Sequence, residues 1–190
     1  MYEPVTSEDI RLLCLQPGAF DDCIRCTIVT VNRHDHVGRY EALSYVWESD
    51  LPSAIVYVDR IGTPKQDTAI SQPVTGSLAL ALRYLRYATK SRTLWVDALS
   101  IDQNNAAERG SQVSIMGSIY SSAKAVIAFL GAPGDKTALA LHALDQLGTN
   151  SMRRSDTIDL CLEAKYLSVD HSFSPAPEQI SAISELLARP

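Results

Sequence analysis

Apolar positions cluster in Ile10 to Leu15 and again in Cys23 to Val31, with the turn formers Pro17-Gly18-Ala19-Phe20-Asp21-Asp22 between them. This pattern predicts two antiparallel strands forming an N-terminal flap. The polar stretch Asn32 to Arg39 follows, and then Tyr40 to Trp47 is apolar and aromatic enough to be a buried strand lying centrally in a sheet. Ala54 to Asp59 is a further β-branched run. The turn Arg60-Ile61-Gly62-Thr63-Pro64 sends the chain toward a return segment ending near Ile70, which predicts a second hairpin.

The period then changes. From Thr75, a good N-cap, to Ala88, the residues Leu78, Leu82 and Leu85 recur at helical spacing, widened by Leu80 and Tyr84. Thr93 to Ile101 reads as a strand, and after the polar turn Asp102-Gln103-Asn104-Asn105 a helix is predicted over Ala106 to Ser122. Its buried stripe is Val113, Met116, Tyr120 and Ala123. Lys124 to Leu130 reads as a third strand ending at Gly131-Ala132-Pro133-Gly134, followed by a helix over Lys136 to Leu147. Further helices are expected at Asp156 to Leu167 and Pro177 to Ala188. Strands alternating with helices imply an α/β fold with a mainly parallel central sheet flanked by helices, carrying antiparallel β additions at its N-terminal end.

A chain of 190 residues is the size of one domain, and 46% apolar with 21% charged residues is ordinary for a globular protein. The formal charge of -5 opposes nucleic-acid binding, and no cluster of Lys and Arg reverses it locally. No apolar run approaches the roughly 18 residues of a membrane span, and Met1-Tyr2-Glu3-Pro4 does not open a secretory signal. Cys14, Cys23, Cys26 and Cys161 are too few for a disulfide scaffold, and Cys23-Ile24-Arg25-Cys26 lacks a second ligand pair for zinc. The expected compartment is the cytoplasm, with no metal and no required cofactor.

Three segments together resemble the fungal heterokaryon incompatibility (HET) domain, a module of programmed cell death. They are Tyr40-Glu41-Ala42-Leu43-Ser44-Tyr45-Val46-Trp47, then Leu94-Trp95-Val96-Asp97-Ala98-Leu99-Ser100-Ile101-Asp102-Gln103, then Glu108-Arg109 through Gln112-Val113, Met116, Ile119-Tyr120 and Ala123. With Ile10-Arg11-Leu12-Leu13 and the strand Ala125 to Gly131, the resemblance covers about residues 10 to 131 of a single domain spanning residues 1 to 190. Departures stand at Glu48, Ser100, Asp102 and Phe129, where the family usually has Gly, Cys, Asn and Trp. The family's final aromatic motif is expected beyond Arg189-Pro190, so the domain is expected to be truncated at its C-terminal end. The resemblance extends remotely to TIR domains. It implies a TIR- or flavodoxin-like sheet and NAD as a possible substrate, and it implies self-association or other cell-death proteins as partners.

In open parallel sheets ligands gather beyond the carboxyl ends of strands. That rule selects Ser44, Tyr45, Trp47 and Glu48 after one strand, and Ser100, Asp102 and Gln103 after another, with Asp97 inside the second strand added as a further binding candidate. Hydroxyl, amide and carboxylate groups beside an aromatic ring suit a nucleotide, whose base stacks while its ribose is hydrogen-bonded. Glu108 is the catalytic candidate, because the TIR resemblance implies a glutamate at this helix start. Loss of neutral nicotinamide from NAD needs no general acid, only a carboxylate to orient ribose hydroxyls and stabilise an oxocarbenium-like centre.

Each assignment has a structural counterpart. Glu108 stands three residues after Asn105, the capping-box position. Arg109 pairs either with a phosphate or with solvent and neighbouring acids. Trp47 is either a core aromatic or a stacking platform, whereas Trp95 reads as core. Asp97, a carboxylate inside an apolar strand, needs a partner to offset desolvation. Orienting Arg109, bonding loop amides and serving the site directly all remain open to it.

Overall fold

The computed structural model describes residues 2, 4–47, 51–59, 69–148, 158–159 and 176–187. The turn at Arg60 to Pro64, Glu48, Cys161 and the end at Arg189-Pro190 lie outside them, as does most of the helix expected at Asp156 to Leu167.

Strands β1 (Asp9–Leu15) and β2 (Ile24–Asn32) pair antiparallel, with Leu13 opposite Ile28. β3 is Glu41–Tyr45, β4 Ala54–Asp59 and β5 Ile70–Val74. Helix α1 covers Gly76–Leu85, and β6 is Arg92–Trp95. The single turn α2 (Asp97–Ser100) follows, then α3 (Ala106–Ser114), α4 (Met116–Ser122) and β7 (Ala125–Phe129). Helix α5 (Thr137–Gly148), the short β8 (Ile158–Asp159) and α6 (Pro177–Leu187) complete the described elements.

The strands form one sheet in the order β5-β4-β2-β1-β6-β3-β7-β8. The fold is α/β and the sheet is mixed. β2–β4, β3–β6, β3–β7 and β7–β8 run parallel, while β1–β2, β1–β6 and β4–β5 run antiparallel. The expected N-terminal flap is instead the middle of the sheet, because β1 lies between β2 and β6. Its sequence explains the position. Ile10 and Leu12 on one pleat face and Leu13 and Leu15 on the other are all buried, and a strand apolar on both faces needs cover on both.

That cover comes from two sides. Leu78, Leu82 and Leu85 of α1 join Leu13, Leu15, Leu43, Leu94 and Ile127 in one cluster. Ile119 of α4 joins Ile10, Leu12, Tyr40, Ala42 and Trp95 in a second cluster, with Met116, Tyr120 and Ala123 packed against it. Thr75 caps α1 as expected, its hydroxyl accepting from the Leu78 N–H at 3.3 Å. The helix ends at Leu85.

Four further expectations are corrected. The return strand β5 begins at Ile70 rather than ending there, and its Pro73 is tolerated because β5 is a sheet edge. The strand expected to run to Ile101 stops at Trp95, where the Ser100 hydroxyl accepts from the Val96 N–H and the Asp97 carboxylate accepts from the Ala98 N–H to close a helical turn. The helix expected over Ala106 to Ser122 breaks at Ile115. As a result Val113 is 53% exposed, and Gln112 and Ile119 are buried instead. Ile158 and Asp159 extend the sheet beside Val126 and Ile127 rather than belonging to a helix.

Candidate functional site

β3 and β6 are parallel, so their carboxyl ends face the same way and the residues that follow them meet on one rim. Val46 and Trp47 leave β3 there, and Val96 and Asp97 leave β6. The rim is closed from the α1 side by Ser77, whose hydroxyl donates to the Val46 carbonyl at 2.9 Å.

Trp47 is the prominent group. It is 54% exposed, so it is no core aromatic, whereas Trp95 is fully buried as expected. The Trp47 indole Nε1–H donates to Asp97 Oδ2 at 3.0 Å, and its ring stacks on Tyr45 with centroids 6.4 Å apart and planes 27° apart. Asp97 Oδ1 accepts from the Ala98 N–H at 2.7 Å. Burial raises the Asp97 carboxyl above its ordinary value of 3.8, only partly opposed by these two hydrogen bonds. Burial also pushes the Tyr120 hydroxyl up to about 12 and raises that of Tyr45, and the nearby Asp97 charge adds to both. Tyr120 donates to the Leu43 carbonyl at 3.1 Å and packs edge-on against Trp95.

The loop after α2 completes the rim. Gln103 Nε2 donates to the Asp97 carbonyl at 3.1 Å, and Arg109 donates to the Gln103 carbonyl at 3.0 Å. The Asp97 carboxylate therefore bonds an amide of its own helical turn and an indole, while Arg109 is bonded to the Gln103 carbonyl. Asp102 Oδ1 accepts from the Asn104 N–H. The Ser100 hydroxyl is buried within the turn it closes. Ser44 is exposed, and it stands on the pleat face opposite Tyr45. The structure thus joins Tyr45, Trp47, Asp97 and Gln103, with Arg109 behind Gln103, and leaves Ser44 and Ser100 apart from them.

Glu108 has a different setting. Its N–H is capped by the Asn105 side chain at 3.2 Å, but its own carboxylate does not fold back on Asn105. It is held by Arg11 through two hydrogen bonds of 2.5 and 3.0 Å, and its Oε1 also accepts from the Asp102 N–H at 2.8 Å. The pair is buried, at 2% exposure for the Arg11 side chain and 7% for that of Glu108. Hydrogen bonding from the guanidinium lowers the Glu108 carboxyl below its ordinary 4.5 against the cost of burial. Arg11 also donates to the Ser100 carbonyl, and its guanidinium lies 4.7 Å from the Tyr2 ring centroid.

The reach of Arg11 follows from register. β1 pairs antiparallel with β6, with Leu13 opposite Leu94, which carries Arg11 to the level of Val96 at the end of β6. Arg11, Ser77 and Tyr120 were not among the residues expected at this rim. Arg11 carried a signal, a lone charge among Ile10, Leu12 and Leu13, of the same kind that marks Asp97. Among the described residues no three His, Cys, Asp or Glu side chains are grouped to hold a metal ion, and no helix is long and apolar enough to cross a membrane.

Residues 40–186 match the family model described as heterokaryon incompatibility protein (HET). The chain is also similar to heterokaryon incompatibility protein 6, OR allele, of Neurospora crassa. The two are 32% identical over 196 residues, an alignment that takes in 97% of this chain and 28% of that protein, so the chain spans less than a third of its relative's length. No solved structure matches it.

Proposed function

The chain belongs to the heterokaryon incompatibility family, and on that premise we propose that it acts in fungal incompatibility as a cell-death domain that recognises a nucleotide, with NAD the first candidate, at the rim between β3 and β6. The observation that carries this reading is the Trp47 indole, exposed yet fixed by Asp97 and Tyr45. A large aromatic left open to water while its orientation is fixed suits a flat ring, and the carboxylate and amide beside it suit ribose hydroxyls.

The enzymatic form of this proposal is TIR-like NAD glycohydrolysis with Glu108 as the carboxylate that stabilises the developing charge on the ribose. Such a role requires Glu108 to leave Arg11 and the Asp102 N–H, since both carboxylate oxygens are engaged. A second reading is favoured by that engagement: the domain binds nucleotide or protein partners and signals without turnover, with Glu108 holding the fold.

Nicotinamide release from NAD, measured beside cell death on expression of the full-length protein, separates the two. Under the glycohydrolase reading Glu108→Gln lowers release by orders of magnitude and abolishes death together with it. Under the recognition reading the wild type releases no nicotinamide, and Trp47→Ala abolishes death while the domain stays folded. Turnover that is equal in wild type and Glu108→Gln removes Glu108 from catalysis, and death that persists in both Trp47→Ala and Glu108→Gln contradicts both readings.

A further inference from the structure

The charge beside Trp47 narrows what the rim accepts. Asp97 is a half-buried carboxylate whose hydrogen bonds come from a neutral amide and a neutral indole, and none of the ion pairs among the described residues includes it. Among the described residues, the two cationic side chains that hydrogen-bond to this loop are turned to other acceptors: Arg11 binds Glu108 and the Ser100 carbonyl, and Arg109 binds the Gln103 carbonyl. A negative charge therefore lies against one edge of an exposed indole, whose own π face is also electron-rich.

Resting on the nucleotide reading above, we infer that the Tyr45–Trp47–Asp97 group selects a planar aromatic cation, such as an N-alkylated pyridinium ring, over its neutral counterpart. The ring stacks on the open face of Trp47 and brings its positive charge close to the Asp97 carboxylate. Cation–π attraction to a partly desolvated indole and Coulomb attraction to the carboxylate both vanish when the ring is neutral, while stacking area is nearly unchanged. In dinucleotide terms the site distinguishes the oxidised, cationic nicotinamide ring from the reduced, neutral one. Asp97 has two roles here, as counter-charge and as the anchor that fixes the indole.

The chain has two tryptophans, so a nitrogen-15 NMR spectrum carries two indole N–H signals, which Trp47→Phe assigns. The probes are 1-methylnicotinamide against nicotinamide, and NAD in its oxidised against its reduced form, with ADP-ribose as the ring-free control. The expected result is a saturable shift of the Trp47 signal, with the Trp95 signal little moved, at concentrations at least tenfold lower for each cationic ring than for its neutral partner. Asp97→Asn is expected to reduce that preference to within about twofold while the neutral ring still binds. Equal binding of cationic and neutral rings overturns the inference and leaves nucleotide recognition standing. So does ADP-ribose binding as tightly as the oxidised dinucleotide with the Trp47 signal unmoved. Failure of every dinucleotide and of ADP-ribose to bind overturns the inference together with the reading it rests on.

Discussion

Arg11 and Glu108, 97 positions apart in the chain, form a two-pronged buried ion pair that ties the central strand β1 to the first turn of α3. Because Glu108 also accepts the Asp102 N–H and Arg11 also donates to the Ser100 carbonyl, the pair fastens the α2 end of the following loop to the first turn of α3. The rim residues Asp97 and Gln103 sit on this turn and loop, so their positions depend on a contact that lies behind them.

Removing one partner leaves the other charge buried and uncompensated. Arg11→Met and Glu108→Gln are each expected to lower unfolding free energy by about 3–5 kcal/mol at neutral pH. Replacing both by apolar residues of similar size is expected to recover most of that loss. Urea denaturation of the two single variants and the double variant measures it, and a loss below about 1 kcal/mol in both singles contradicts the structural role.

Acid tells the same story with a sign. The folded Glu108 carboxyl lies below its ordinary 4.5, so its contribution is complete above that value and is lost as pH falls through the lower, folded one. Asp97 runs the other way: its folded carboxyl lies above the ordinary 3.8, so ionising it costs the fold stability as pH rises past that point. Glu108→Gln should therefore flatten the acid limb of the stability profile below pH 4.5. A limb of unchanged slope counts against the assignment.

Asp97→Asn is expected to leave the chain within about 1 kcal/mol of wild type at neutral pH, since one hydrogen bond is exchanged for relief of a buried charge. Thermal unfolding at pH 7 checks this. A loss of several kcal/mol means that the fold needs the Asp97 charge for itself and that the rim has no spare carboxylate.

Arg86, the C-cap residue of α1, is a structural counterpart. From the end of α1 its guanidinium donates to the carbonyls of Ala19, Phe20, Asp22 and Cys23, fastening the turn between β1 and β2. Charge-assisted bonds to carbonyls predict a loss of about 2–3 kcal/mol for Arg86→Met, whereas Val113→Lys on the exposed face of α3 should stay within about 0.5 kcal/mol. Chemical denaturation compares the two directly.

Local signals in the sequence reported local structure. Alternation and turn chemistry located the β1–β2 hairpin, Thr75 and the leucine spacing located α1, and Asn105 located the start of α3. Features that depend on distant partners were out of reach. The placement of β1 between β2 and β6 is a matter of sheet order, which no window of ten residues contains. Val96 to Ile101 reads as a strand because it is mostly apolar, yet Asp97 and Ser100 spend their side chains on backbone N–H groups and close a helical turn. At the rim, Tyr45, Trp47 and Asp97 were identifiable from residue type at strand ends. The carboxylate of Glu108 looked available only because its partner stands in a strand 97 positions earlier.

The most direct test of the account is calorimetric titration of the chain with oxidised NAD, in wild type and in Trp47→Ala. Saturable binding by the wild type, weakened at least tenfold in Trp47→Ala with thermal stability unchanged, is the predicted result. Equal affinity in the two proteins, or no binding by the wild type, contradicts nucleotide recognition at the β3–β6 rim.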